Sequence, residues 1–150
     1  MKVTRFVGRM VSCALLVLLA ACSGNSAEVQ PPAIQYGEEV CDACGMLISD
    51  AKFAAASVDE DGTAHKFDDI GDLVTYYLQH DQAKVKAYFV HDYPSEKWLR
   101  AEQAFFVISP KIQTPMAHGI AAYADRAVAE AAAQKYAVKI RSFGEVRLLP

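Results

Sequence analysis

The chain has 150 residues, 53% of them hydrophobic and 22% charged, with a formal charge of −3. That is one domain's worth of sequence or two very small ones, too short for a large multidomain enzyme. It is also too apolar and too weakly charged for a wholly disordered chain.

Lys2, Arg5 and Arg9 precede a run of small and apolar residues from Val11 to Ala21, which is a signal-peptide pattern. The apolar run is too short to read as a spanning helix. Removing residues 1–21, which hold those three basic groups and no acidic one, moves the charge from −3 to −6. An acidic chain offers no basic face to phosphates, so a nucleic-acid partner is excluded. Leu19-Ala20-Ala21-Cys22 resembles the bacterial lipobox. That resemblance implies that Cys22 is the lipidated first residue of the mature protein, anchored on the periplasmic side of a bacterial membrane. Ser23, where Asp often marks inner-membrane retention, points to the outer membrane. Several acyl chains, at about 0.8 kcal/mol per buried methylene, make a durable tether.

Residues 22–40 then read as the lipidated Cys and a flexible spacer, polar and small from Ser23 to Gln35 with Pro31-Pro32 inside it. Lys52 to Val58 reads as a strand, Asp59-Glu60-Asp61-Gly62 as a turn, and Thr63 to Phe67 as the returning strand of a hairpin. Asp68 or Asp69 can cap a helix from Ile70 to about Gln79, with Leu73, Val74, Tyr77 and Leu78 on its apolar face. Val85 to Val90 follows as a strand. The second half repeats this order. Leu99 to Ile108 reads as a strand, Ser109 to Pro115 as a loop, and Gly119 to Tyr123 as a strand. Asp125 caps an Ala-rich helix reaching about Tyr136, with Ala127, Val128, Ala131 and Ala132 on one side. A last strand starts at Val138 and extends toward Phe143. The expected fold class is α+β, with two small repeated strand-strand-helix-strand units, at about 41–92 and 93–150, packed into one compact body.

Beyond the leader's Cys13 and the anchor Cys22, the only cysteines are Cys41 and Cys44, in Cys41-Asp42-Ala43-Cys44-Gly45-Met46. Two thiolates and a thioether within six residues concentrate soft sulfur donors, which select Cu(I) over hard cations. Gly45 lets the backbone turn so that these donors can converge. The same spacing also serves zinc sites, redox dithiols and simple disulfides. Structural zinc wants four ligands, yet no pair among His65, His80, His91 and His118 has the matching spacing. A thioredoxin-like pair belongs at a strand-to-helix junction, whereas this one follows a spacer and precedes a hairpin. A disulfide across so short a loop constrains the unfolded chain little, by about 2 kcal/mol at most.

A second constellation is Thr114-Pro115-Met116-Ala117-His118-Gly119, in which Met and His two apart project to one face of an extended segment. On spacing alone, a core Met beside a surface His accounts for it. Met46 and Met116, however, are the only methionines after the leader, and each stands beside another metal-capable residue. His65 reads as a surface or half-buried polar residue, and His80 as a partner of the first helix's C-terminal dipole. His91 opens a polar turn and is assigned no function. Trp98, Tyr76, Tyr77 and Tyr88 read as core.

Lipobox, spacer, the CxxCGM run at 41–46 and Met116-Ala-His118-Gly119 together resemble the NosL family, lipoprotein copper chaperones for the maturation of nitrous oxide reductase. The resemblance spans essentially the whole mature chain. It implies two ββαβ units, and it implies that the protein is not an enzyme. Cu(I) is the implied cargo, held by donors drawn from Cys41, Cys44, Met46, Met116 and His118. The implied partners are nitrous oxide reductase and the Nos transporter complex with its periplasmic NosD subunit. On this reading copper sits in an accessible cleft between the units and leaves by stepwise ligand exchange. Two readings from other classes stand beside it: a periplasmic thiol–disulfide oxidoreductase using Cys41 and Cys44, and a lipoprotein interaction module in which that pair is a local bridge.

Overall fold

The computed structural model describes residues 28–149, so the leader and the anchor Cys22 lie outside the described residues. Two acids start the two main helices. Asp69, extended at φ −138°, accepts the Gly71 N–H at 2.8 Å and begins α1 (Ile70–Gln79). Asp125 accepts the Val128 N–H at 3.0 Å and begins α2 (Arg126–Tyr136). Ahead of α1, the turn after β1 (Ala55–Asp59) is closed by the Gly62 N–H donating to the Asp59 carbonyl at 3.0 Å, and β2 (Ala64–Phe67) returns along β1. After α1 come β3 (Val85–His91), β4 (Trp98–Arg100), β5 (Phe105–Ile108) and β6 (Ile120–Tyr123). Beyond α2 lie β7 (Ile140–Arg141) and α3 (Phe143–Val146).

The repeat is realised in space. Every strand pair is antiparallel, and the sheets run β2-β1-β3-β4 and β6-β5-β7. The triplets β2-β1-β3 and β6-β5-β7 therefore have the same order, each with its helix between second and third strand, and β4 is an added edge. This is the expected α+β body of two ββαβ units. Strand alternation explains how they join. Phe106, Ile120 and Ala122 enter a core with Ile70, Leu73, Val74 and Tyr77 of α1 and with Phe67 and Val90 of the first sheet. Their neighbours Val107, Ala121 and Tyr123 face Ala129 and Ala133 of α2. Thus α1 is sandwiched between the two sheets, and its first turn is pinned by both.

Several boundaries differ from the sequence reading. The strand expected over Leu99–Ile108 is broken by a helical turn at Ala101–Gln103, where the Ala104 N–H donates back to the Ala101 carbonyl; its first part pairs with β3. The last strand stops at Arg141 because Ser142 and Glu145 form a reciprocal capping box that starts α3 at Phe143. On α2 the buried residues are Ala129 and Ala133, while Ala127, Val128 and Ala131 are exposed. Alanines on all sides of that helix left its phase unmarked. Leu78 is exposed. From Val29 on, the segment read as spacer packs against the body, Val29 beside Ala56 and Phe89 and Ile34 against the main core.

His91 does not open a polar turn. It ends β3 in the interior, 3% exposed, with Trp98 against its ring. Its Nδ1 lies 3.0 Å from the Ala54 carbonyl, which can only accept, so Nδ1 carries the proton and Nε2 accepts from the Tyr36 hydroxyl at 3.2 Å. Burial pushes the His91 pKa below its ordinary 6.5, against a smaller upward pull from the Ala54 hydrogen bond. The unfolded chain binds a proton that the folded ring resists. Stability is therefore full above about pH 6.5 and declines below it, by at most about 1.4 kcal/mol per pH unit. In His91→Gln, whose amide can still donate to Ala54, urea midpoints should fall less steeply from about pH 6.5 to about pH 5 than in the parent. Parallel slopes would contradict the assignment.

Candidate metal centre

The first motif is a tight loop closed by the antiparallel bridge Val40↔Leu47. Inside it, the Cys41 N–H donates to the Met46 carbonyl at 2.8 Å and the Gly45 N–H to the Cys41 carbonyl at 3.0 Å. Gly45 sits at φ +73°, a left-handed turn that any other L-residue would enter at a cost. Asp42 docks the loop on β2: its N–H donates to the Lys66 carbonyl, and its carboxylate accepts the Lys66 N–H, both at 2.9 Å. His65 Nδ1 approaches the same carboxylate oxygen at 3.2 Å, so this histidine is engaged beside the loop.

Closing the loop brings the thiols together. The Cys44 N–H donates to Cys41 Sγ at 3.4 Å, and the two cysteines are free. Cys41 is 2% exposed, and its thiol donates to Asp72 Oδ2 at 3.3 Å. Cys41 Sγ, Cys44 Sγ and an Asp72 carboxylate oxygen all lie within 4.8 Å of one another, the one such cluster of potential metal ligands among the described residues. Burial pushes the Cys44 thiol up to about 12; the neighbouring Asp72 and Cys41 push the same way, and a backbone hydrogen bond from Met46 opposes them. Without a cation, Cys44 is therefore a neutral thiol at pH 7.

The second motif arrives from the other unit. The loop between β5 and β6 folds back through the Ala117 N–H to the Thr114 carbonyl at 3.0 Å and the Gly119 N–H to Thr114 Oγ1 at 3.2 Å. Gly119 sits at φ +69°, and a Cβ there would lie 2.3 Å from the Ser109 carbonyl oxygen, so both conformation and space require glycine. The Met116 N–H donates to Asp69 Oδ2 at 3.1 Å. His118 Nδ1 lies 3.5 Å from Asp69 Oδ1 and 4.0 Å from Asp72 Oδ1. One carboxylate, Asp72, thus faces Cys41 with one oxygen and His118 with the other.

Of the five residues singled out in the sequence, Cys41 and Cys44 converge and His118 stands across Asp72 from them. Met46 flanks the pair and is 56% exposed, while Met116 is half-buried beside His118. Two acids central to the arrangement, Asp69 and Asp72, escaped the sequence reading as site residues. In the sequence Asp69 reads only as a cap. Asp72 lies 31 positions from Cys41 and, in a first helical turn, has an ordinary explanation in the helix dipole. His80 is exposed with Nδ1 2.7 Å from the Tyr76 carbonyl at the end of α1, the role expected for it.

A family model described as NosL matches residues 32–148. The copper-binding lipoprotein NosL of Stutzerimonas stutzeri is 24% identical over 151 residues, a match covering 93% of this chain and 79% of that protein. The crystal structure of the copper chaperone NosL from Shewanella denitrificans resembles this one with a TM-score of 0.67 at 25% identity, covering 77% of this chain and 94% of that one.

The raised thiol has a direct consequence. In the reduced, metal-free protein at pH 8, iodoacetamide should alkylate Cys44 at least about tenfold more slowly than free cysteine, because only the thiolate attacks. The rate should keep climbing beyond pH 9, where a free cysteine levels off. A plateau near pH 9 would contradict the environment described.

Proposed function

Because the chain belongs to the NosL family, we propose that it is a lipid-anchored, periplasm-facing copper chaperone that carries Cu(I) toward the copper centres of nitrous oxide reductase. The observation that carries this reading is the convergence of Cys41, Cys44 and Asp72 at the start of α1, with His118 brought to the same carboxylate from the second unit. Paired thiolates suit a soft monovalent ion. Two relatives, a copper-binding lipoprotein and a copper chaperone, agree with copper as cargo.

The donors differ in exposure in a way that suits a carrier. Cys41 is buried, Cys44 is half-buried, and Met46 is open to solvent. His118 lines a surface groove of about 440 Å³ together with Val74, Leu78 and Leu149. An incoming ligand can therefore displace the outer donors first while Cys41 still holds the ion, which is what stepwise exchange requires. Uptake replaces thiol protons with the cation, so affinity rises with pH. Lipidation at Cys22 places the carrier at the periplasmic face of a membrane, with the outer membrane favoured by Ser23. The Nos transporter complex with its NosD subunit, and the reductase itself, are the proposed docking partners.

The oxidoreductase alternative fits the chemistry less well. Disulfide exchange wants a thiolate near ambient pH, and burial drives Cys44 the other way.

The test is an anaerobic Cu(I) titration of the reduced full-length chain against a competing chelator. Cys41→Ala/Cys44→Ala should weaken binding on the order of 100-fold or more, and Met116→Ala/His118→Ala by about tenfold or more. Circular dichroism confirms folding of each variant. Unchanged affinity in the cysteine variant would overturn the chaperone reading; unchanged affinity in the second would remove Met116 and His118 from the donor set.

A further inference from the structure

The position of His118 over α1 raises a question about Gly71. This glycine is the second residue of the helix, where alanine is the better helix former. Its φ lies outside the left-handed region, so the backbone does not demand it. Space does. A Cβ at Gly71 would lie 2.0 Å from His118 Cγ and 2.4 Å from both its Cβ and its Nδ1. The His118 ring is therefore seated directly on the bare first turn of α1, in contact through its Cβ, Cγ and Nδ1.

Asp69 completes the seat. It is fully buried at 0% exposure and has each oxygen committed. Oδ1 accepts the Gly71 N–H at 2.8 Å and faces His118 Nδ1 at 3.5 Å, while Oδ2 accepts the Met116 N–H at 3.1 Å. One side chain thus fixes the helix start, the loop that bears His118, and the side of the imidazole turned inward. A carboxylate can only accept, so it favours the tautomer with the proton on Nδ1. Metal-bound histidines commonly hold their second nitrogen in this way, and loss of the outer partner weakens metal binding about 10–100-fold.

We infer that Asp69 and Gly71 form a positioning seat for His118, which holds Nδ1–H toward the buried carboxylate and leaves Nε2 as the nitrogen offered to the ion. The inference rests on the reading of His118 as a copper donor. Asp69 and Gly71 touch no metal in this account; they act through the ring. Alanine at 71 would push the ring off its place, and the added helix propensity would act in the opposite, stabilising direction.

A double-mutant cycle on the full-length chain separates these effects, with Cu(I) affinity measured by chelator competition for the parent, Gly71→Ala, His118→Gly (which also removes the Cβ 2.4 Å from the added methyl) and both together. Gly71→Ala should weaken binding about tenfold or more with His118 present and have no further effect when His118 is absent. In the His118→Gly background the same change should raise the unfolding midpoint. If His118→Gly weakens binding and Gly71→Ala does not, or if Gly71→Ala weakens it equally in both backgrounds, the seat is overturned. If His118→Gly itself has no effect, the donor reading fails instead. A second readout is the ring tautomer in the metal-free protein near pH 8, from long-range proton–nitrogen NMR. Nδ1–H should dominate in the parent and lose ground to Nε2–H in Asp69→Ser, whose shorter side chain keeps an N-cap but withdraws the oxygen that faces Nδ1. An Nε2–H majority in the parent would overturn the orientation.

Discussion

The arrangement depends on a carboxylate with no access to water. Asp69 begins α1, and α1 is the element caught between the two sheets, so the residue sits where the halves of the molecule meet. With one oxygen it satisfies an orphan N–H of the helix's own first turn, and with the other an N–H of the Met116 loop from the opposite unit. Leaving such donors unpaired in the interior costs about 1–3 kcal/mol each. Three residues on, Asp72 repeats the pattern at the level of chemistry, between the Cys41 thiol and His118. The first turn of α1 is thus both the structural joint and the floor of the donor cluster. Two units that repeat the same topology become one site because a single helical turn is shared.

That geometry also explains the resting chemistry. Burial and the neighbouring Asp72 hold Cys44 protonated well past physiological pH. A neutral thiol there avoids piling negative charge into a low dielectric, and a bound cation, as proposed, would supply the compensation that lets it ionise. A donor set with one buried member and several open ones suits the proposed carrier, which must hold an ion without enclosing it.

Most elements were legible because their signals are local. The caps at Asp69 and Asp125 and the Asp59–Gly62 turn are written within four residues each, and the observed helices and hairpin match them. The CxxCGM run and the Met-x-His segment were legible as candidate donors because their chemistry is concentrated in sequence. What pairs them was not. Asp72 and Gly71 gain their meaning only from residues tens of positions away, and each has a bland local reading. The break at Ala101–Gln103 carries no glycine or proline to mark it. The buried phase of α2 was hidden by alanines on every side, which pack equally well wherever the sheet happens to lie. His91 was misplaced because its burial comes from Tyr36, Ala54 and Trp98, drawn from three separate segments.

The central claim is that one ion engages both units across the start of α1. The most direct measurement is amide chemical-shift mapping of the reduced, isotope-labelled full-length chain during anaerobic titration with Cu(I). The account predicts that residues 41–46, the first turn of α1 and residues 114–119 shift together and saturate at a single equivalent. Shifts confined to residues 41–46 would contradict it, leaving a one-sided dithiol site with no part for the second unit.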